Sequence, residues 1–251
     1  MTLSSIVITR NEEKNISNCL KALKFADEII VVDNNSYDGT VNIAKKLGAK
    51  VFKVPGLDFS YLRNYGKEKA KSEWMLYIDA DERVTESLAS EIKKVLSKKT
   101  DVSGFAISRQ NYYFDTPWPK IEKIVRLVKK DSLIGWQGQL HESALVAGKI
   151  GTLTSILPHY THRDLTSMIE KTNEWSEIES LLRFQNNHPK VSWWRFFRVM
   201  VSSFWKSYIT EEGWKTGVIG IVESIYQAFS IFITYAKLWE RQNAKVKNRN
   251  L

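Results

Sequence analysis

At 251 residues, with 43% hydrophobic residues and only five prolines, the chain has the makeup of a globular protein and excludes a disordered one. Its single cysteine, Cys19, excludes an internal disulfide and fits a reducing compartment. The formal charge of +9 is lopsided: residues 1–187 hold 27 Lys/Arg against 24 Asp/Glu, whereas residues 188–251 hold ten against four.

"SSIVIT" reads as a buried strand, with too short an apolar run for a signal-peptide core, so a cytoplasmic protein is expected. "EEKNISNCLKALKFA" follows as a helix with Ile16, Leu20 and Leu23 on one face. "EIIVVD" and "AKVFKV" are further strands, separated by a helix over "DGTVNIAKKLG" that Gly48 stops. "SYLRNYGKEKAK" reads as a helix and "EWMLYID" as a fourth strand, and Thr85 caps a helix over "TESLASEIKKVLSKK". This alternation predicts right-handed crossovers and an α/β domain with a mostly parallel sheet. In such sheets the ligand crevice lies past the carboxyl ends of the strands, where Thr9–Glu12, Asp33–Asp38 and Asp79–Glu82 fall.

Residues 104–162 change character, toward shorter strands in "GFAISRQNYYF", "KIVRLVKK", "SALVA" and "GTLTSILPHYTH". From Leu165 the pattern is helical, which divides the chain into a catalytic domain over 1–164 (halves 1–100 and 101–164) and a helical region over 165–251. "VSWWRFFRVMVSSFWKSY" is aromatic all round, and the stretch 218–239 carries an apolar stripe interrupted elsewhere by Glu223 and Gln227. Those two polar residues tell against a membrane span. A basic, aromatic tail of this kind suits an anionic surface, and two readings stay open: an interfacial helix, or a helix packed on the rest of the protein.

Three segments carry candidate chemistry. "DAD" at 79–81 sets two carboxylates one residue apart, able to share Mg²⁺ or Mn²⁺, although a solvated acidic turn has the same composition. "VVDNNSYDGT" places Asp33 and Asn34 at a strand end, as a nucleoside contact or as an ordinary turn and cap. "TRNEE" holds Asn11 and Glu12 just past Thr9. Neither G-x-G-x-x-G nor G-x-x-x-x-G-K-[ST] occurs, which removes the main support for dinucleotide-binding and P-loop readings.

Taken in order, "TRNEE", "VVDNNSYDGT", "RN" at 63–64 and "EWMLYIDADE" resemble glycosyltransferase family 2, on the GT-A fold. "SYLRNYGKEKAKSEWMLYIDADERV" with the later "HES" is similar to small bacterial members of lipopolysaccharide-core and surface-glycan assembly. The resemblance implies a Rossmann-like, mostly parallel sheet and a metal-dependent, inverting hexosyl- or heptosyltransferase. It implies that Thr9, Asn11, Glu12, Asp33, Asn34, Arg63, Asn64, Asp79 and Asp81 hold the nucleotide sugar, Asp81 through Mg²⁺ or Mn²⁺. Many relatives carry Asp-Asp where this chain has Asp33-Asn34, so the base is left open.

By the same resemblance Glu142, in "GQLHES", is the candidate general base, whereas the residues alone read it as a surface strand position; Asp115 and Asp131 are the next carboxylates to test. His141 lacks the second histidine of H-E-x-x-H, and His159 and His162 could reach a metal, of which His159 is the candidate ligand. Trp136 is either a sugar platform or core, and Arg126 either a phosphate contact or, more commonly for such a residue, a solvated strand charge. The expected acceptor is a glycolipid at the inner face of the cytoplasmic membrane, reached through residues 188–251. A lipid-phosphate acceptor, as in polyprenyl-phosphate sugar transferases, is the alternative. Homo-oligomer formation stays open. A peripheral nucleic-acid-binding protein is disfavoured, because the aromatics lie in helical apolar stripes and the acidic strand ends repel phosphate.

Overall fold

The computed structural model describes residues 1–56, 58–98, 100–138 and 142–247, with side chains to residue 244. β1 (Leu3–Thr9), β2 (Glu28–Asp33), β3 (Lys50–Lys53) and β4 (Trp74–Asp79) alternate with α1 (Glu13–Ala22), α2 (Thr40–Lys46) and α3 (Phe59–Lys69). The four strands pair in parallel in the order β3-β2-β1-β4, as the alternating pattern predicts. Their apolar runs are continuous because both faces are covered. Leu3, Val7, Val31, Leu76 and Ile78 enter one core with helix residues Ile16 and Leu20, and Ile6, Ile8, Val32, Met75 and Tyr77 enter the other with Leu62. Gly48, at φ +83°, closes α2 in the left-handed conformation that glycine adopts most easily.

After α4 (Glu86–Leu96) come β5 (Val102–Tyr113), β6 (Thr116–Lys129), β7 (Leu133–Gln137), β8 (Ser143–Val146) and β9 (Lys149–His162). β6 joins β4 antiparallel and extends the sheet to seven strands, β3-β2-β1-β4-β6-β5-β9, while β7 and β8 form a separate hairpin. One sequence expectation is corrected here. β5, β6 and β9 are not short but run 12, 14 and 14 residues. Apolar alternation lapses at Arg109–Gln110 and around Pro117–Glu122, yet the strands continue through both stretches. β7 has only five residues, one of them Gly135, and its period was too short to read.

Two compact units result: residues 1–110 with 121–159, and residues 111–120 with 160–251. In the second, α5 (Leu165–Gln185) and α6 (Trp193–Trp205) both pack on α7 (Val218–Lys247). Asp164 caps α5 by accepting from the Ser167 N–H at 2.8 Å. The burial pattern is inverted relative to an ordinary bundle. Thr172, Ser176, Ser180, Ser207, Glu223, Ser224 and Thr234 are buried, while six tryptophans of this unit are exposed. Among the described residues, the stretch Val218–Ala244 is long and apolar enough to cross a bilayer by length and composition, with a third of its most apolar part buried. Its Glu223 bonds His162 Nδ1 at 2.8 Å and Gln227 Nε2 at 2.7 Å, so the polar residues that interrupt the stripe are satisfied within the unit.

Gly66 marks the closest approach of α3 to the sheet: an added Cβ would stand 2.5 Å from Ile6 Cγ2. An alanine inside a helix gains roughly 0.5–1 kcal/mol over glycine by propensity. Overpacking a full core costs about 1–3 kcal/mol. Gly66→Ala is therefore expected to lower the urea midpoint, and an unchanged or raised midpoint would show that the α3–β1 contact yields.

Candidate active site

The apolar runs of β1, β2 and β4 all stop at polar residues, and the parallel register sets these ends side by side. Thr9 lies opposite Asp33, and Ile8 opposite Asp79. The loop after β1 turns through Asn11 at φ +53°, and the loop after β2 through Asn35 at φ +56°. Cross-bonds knit the two loops. The Asn11 N–H donates to Ser36 Oγ at 2.8 Å, the Tyr37 N–H to Asn11 Oδ1 at 3.1 Å, and the Glu12 N–H to Thr40 Oγ1 at 2.8 Å. Asn34 Oδ1 accepts from the Gly56 N–H at 3.0 Å. The side chains of Asn11 and Asn34 thus already hold the loops, and Glu12 accepts from Asn15. Thr9 Oγ1 and Asp33 Oδ1 are different: both are buried without a hydrogen-bond partner. An unsatisfied buried oxygen costs about 1–3 kcal/mol, and these two belong to residues that lie opposite one another at the carboxyl ends of β1 and β2.

The acidic turn after β4 sorts its three carboxylates by partner. Asp79 Oδ1 accepts from Arg63 Nη2 at 2.8 Å and its Oδ2 from Arg126 Nη2 at 2.6 Å. Burial alone would raise the Asp79 carboxyl, but the Arg126 and Arg63 guanidiniums override it and hold the group well below the usual carboxylate range. Glu82 is completely buried. Its Oε2 accepts from the Asp79 N–H at 2.8 Å, and its Oε1 lies 3.3 Å from both Arg109 Nη1 and Arg126 Nη2. Asp81 lies against His159, Oδ1 to Nε2 at 3.3 Å, because an isolated bridge between Glu82 and His159 brings β9 across the turn. Burial pushes the His159 imidazole down, but the Asp81 carboxylate outweighs it and leaves the group above its ordinary value.

Arg63, on α3 and almost wholly buried, bridges this turn to Glu142. Glu142 Oε1 accepts from Arg63 Nε at 2.7 Å and lies 2.6 Å from Nη2, the same nitrogen that bonds Asp79. The Arg63 guanidinium also lies over the Trp136 ring, 4.8 Å from its centroid, so Trp136 is buried under a cation. Asn64 spends its amide on β7: Nδ2 donates to the Trp136 carbonyl at 3.1 Å, and Oδ1 accepts from its N–H at 2.9 Å. The structure therefore brings Arg63, Asp79 and Glu142 together and places Asp81 with His159. His141 lies outside the described residues. His162 pairs with Glu223 and stacks on Tyr113.

Two participants have no role in the sequence pattern: Glu82, which enters only as the end of the stretch 79–82, and Arg109. Arg126 reads there as a phosphate contact or, more commonly, as a solvated strand charge. That last expectation is corrected: Arg126 is buried, since its carboxylate partners lie on β4 and the turn after it. The available signal was an arginine at an inward position of an otherwise apolar strand, "KIVRLVKK".

A profile of the family described as "Glycosyl transferase family 2" matches residues 4–199. The chain belongs to glycosyltransferase family 2. An uncharacterized glycosyltransferase of Rickettsia typhi is 30% identical over 99% of this chain and 89% of its own length. The lipopolysaccharide core biosynthesis glycosyltransferase LpsC of Rhizobium meliloti is 24% identical over 98% of this chain and 95% of its own. Among solved structures, S. aureus TarS 1–349 in complex with UDP-GlcNAc aligns over 98% of this chain and 92% of that one, with a TM-score of 0.50 at 15% identity. Mannosyl-3-phosphoglycerate synthase from Rubrobacter xylanophilus aligns over 76% and 77%, with a TM-score of 0.50 at 14% identity. These likenesses are of fold, and the fold is GT-A, with a helical C-terminal region.

The two shifted groups of this family 2 site act on stability in opposite directions. The depressed Asp79 contributes stability above the ordinary carboxylate range and loses it as pH falls through its lowered value. The raised His159 contributes below its ordinary value of 6.5 and loses it as pH rises through the raised one. NMR titration of the metal-free protein should place the His159 imidazole above 6.5, and Asp81→Asn should bring it down. An identical midpoint in both proteins would remove Asp81 as the cause.

Proposed function

We propose that the protein is a metal-dependent, inverting glycosyltransferase that moves a hexose or heptose from a nucleoside-diphosphate sugar to a glycolipid acceptor. The acceptor class is lipopolysaccharide core or another surface glycan, at the inner face of the cytoplasmic membrane. One observation carries this reading. Arg63 Nη2 bonds both Asp79 and Glu142, so a glutamate 63 positions downstream stands beside the Asp-x-Asp turn. Full-length similarity to LpsC supports the acceptor class, and the UDP-GlcNAc complex of TarS supports a nucleotide-sugar donor. In this reading residues 1–100 form the donor half, 101–164 the acceptor half, and 165–251 the helical region.

Thr9 and Asp33, whose buried oxygens lack partners, bind the nucleoside. Arg63 and Arg126 each keep a buried Nη1 without a partner and offer it to the donor's phosphates. Asp81, with His159 beside it at 3.3 Å, would hold a divalent ion such as Mg²⁺ or Mn²⁺, hard cations that take oxygen ligands. When bound, the metal neutralises charge developing on the departing diphosphate. Glu142 is held at Oε1 by Arg63, and its Oε2 takes the acceptor hydroxyl proton as that oxygen bonds the anomeric carbon. The carbon–diphosphate bond breaks on the opposite side, nucleoside diphosphate leaves, and the sugar's configuration inverts.

Asp81→Ala is expected to cut transfer about 10²-fold or more, and chelation with EDTA should do the same to the unmodified enzyme. Full turnover under either condition would eliminate the metal. Glu142→Gln should keep donor affinity, measured by calorimetry, while transfer falls about 10²- to 10⁴-fold. Wild-type transfer by that variant would move the base to another carboxylate, with Asp115 and Asp131 next in line.

A further inference from the structure

α6 exposes what a soluble helix buries. Trp193, Phe197, Val201 and Trp205 are 76%, 67%, 66% and 61% exposed, and their spacing of four sets them in one stripe along the helix. Trp194 and Met200 widen it. The opposite face, through Val199, packs on Tyr235 and Leu238 of α7. α7 repeats the pattern: Val218, Ile221, Ile225 and Phe229 are exposed, while Glu223, Ser224 and Thr234 are buried. A contiguous apolar face of this kind marks an interaction surface.

Charge identifies the occupant. Residues 190–210 contain four Lys/Arg and no Asp or Glu. Arg195 and Arg198 form no ion pair among the described residues and lie over the Trp194 ring at 5.0 and 5.6 Å. Lys206 has only a long contact to Glu211, at 3.8 Å. Lys237 and Arg241 of α7, by contrast, pair with Glu177 inside the unit. Arg198, Ser202, Ser203 and Lys206 line a cleft of about 380 Å³ between α6 and α7. Hydroxyls and two cations suit a phosphate monoanion or diester, and the flanking tryptophans suit the boundary between headgroups and acyl chains.

We infer that α6 is an in-plane membrane anchor: its Trp193–Trp205 stripe enters one leaflet of an anionic bilayer, and Arg198 with Lys206 holds lipid phosphate in the adjoining cleft. α6 runs on through a π-helical turn to Thr210, but its Val199 face packs on α7, so only its outer stripe meets lipid and α6 lies along the surface. α7 contributes only its outer apolar face, since its inner polar groups are bonded to α5 and β9. The inference deepens the glycolipid-acceptor reading by naming the surface on which such an acceptor would be met.

The test uses the full-length protein, sedimented with phosphatidylcholine vesicles with and without phosphatidylglycerol, across a salt series. Binding should favour the anionic vesicles and weaken with salt without vanishing. Arg198→Glu with Lys206→Glu should lower anionic binding about tenfold or more. Phe197→Ser with Val201→Ser should remove the salt-resistant part, and brominated lipid should quench tryptophan emission only in the unmodified protein and the charge variant. Circular dichroism checks that both variants fold. Absence of binding at low salt, or binding unchanged in both variants, overturns the inference. So does a dimer in sedimentation equilibrium that Phe197→Ser dissolves, because the face would then serve a second copy. Donor hydrolysis is measured in parallel without lipid. Its failure alone sinks the transferase reading, whereas loss of vesicle binding alone sinks the anchor.

Discussion

The first compact unit depends on one buried charge cluster at the carboxyl end of β4. Asp79 and Glu82 could not be buried alone, because an uncompensated carboxylate in a protein interior costs several kcal/mol. Two arginines from different elements, Arg63 of α3 and Arg126 of β6, close on Asp79, and Arg109 of β5 joins Glu82. Each ion pair is thereby a tertiary constraint. The cluster locks α3, β5 and β6 to the end of the central strand, and through Arg63 it reaches Glu142. Such pairs add little net stability compared with apolar packing, yet removing one partner strands the other. Their use here is positional: they specify where the acidic turn stands.

That specification separates two aspartates that the sequence presents as equivalents. Asp79 has both oxygens on guanidiniums and serves as an anchor. Asp81, two residues on, meets an imidazole from β9. The asymmetry has a mechanical origin: β4 ends at Asp79, the chain turns through Ala80 and Asp81, and the bridge from Glu82 to His159 delivers β9 to that turn. Two carboxylates so placed need not repel, because each is compensated from a different direction.

Much of the sheet was legible in the sequence because parallel strands are written locally. "SSIVIT", "EIIVVD" and "EWMLYID" are unbroken apolar runs, each ended by polar residues, and those ends proved to be neighbours. What stayed hidden was pairing at long range. Nothing near Arg126 announces Asp79, 47 residues away, and nothing near Asn64 announces the backbone of Trp136. The orphaned Thr9 Oγ1 and Asp33 Oδ1 are visible only once the interior is closed around them. β5, β6 and β9 were underestimated for a related reason: ladder hydrogen bonds carry strands through stretches whose side chains lack alternation.

The helical unit buries hydroxyls and a glutamate beside its small apolar core and leaves many apolar side chains outside, and that arrangement has a physical logic. Serine and threonine at Thr172, Ser176, Ser180, Ser207, Ser224 and Thr234 let helices approach closely and satisfy one another: Thr172 meets Tyr226 Oη at 2.6 Å, and Ser224 donates to Ser207 at 3.0 Å. Glu223, in the middle of the most apolar helix, is hydrogen-bonded within the unit to His162 and Gln227. Helices that meet their polar needs internally place no demand on water at their outer faces. Their tryptophans, phenylalanines and valines are then at liberty to face a medium that is not water. The same Glu223 that told against a span in the sequence is thus the residue whose complete burial lets the outside of α7 be apolar.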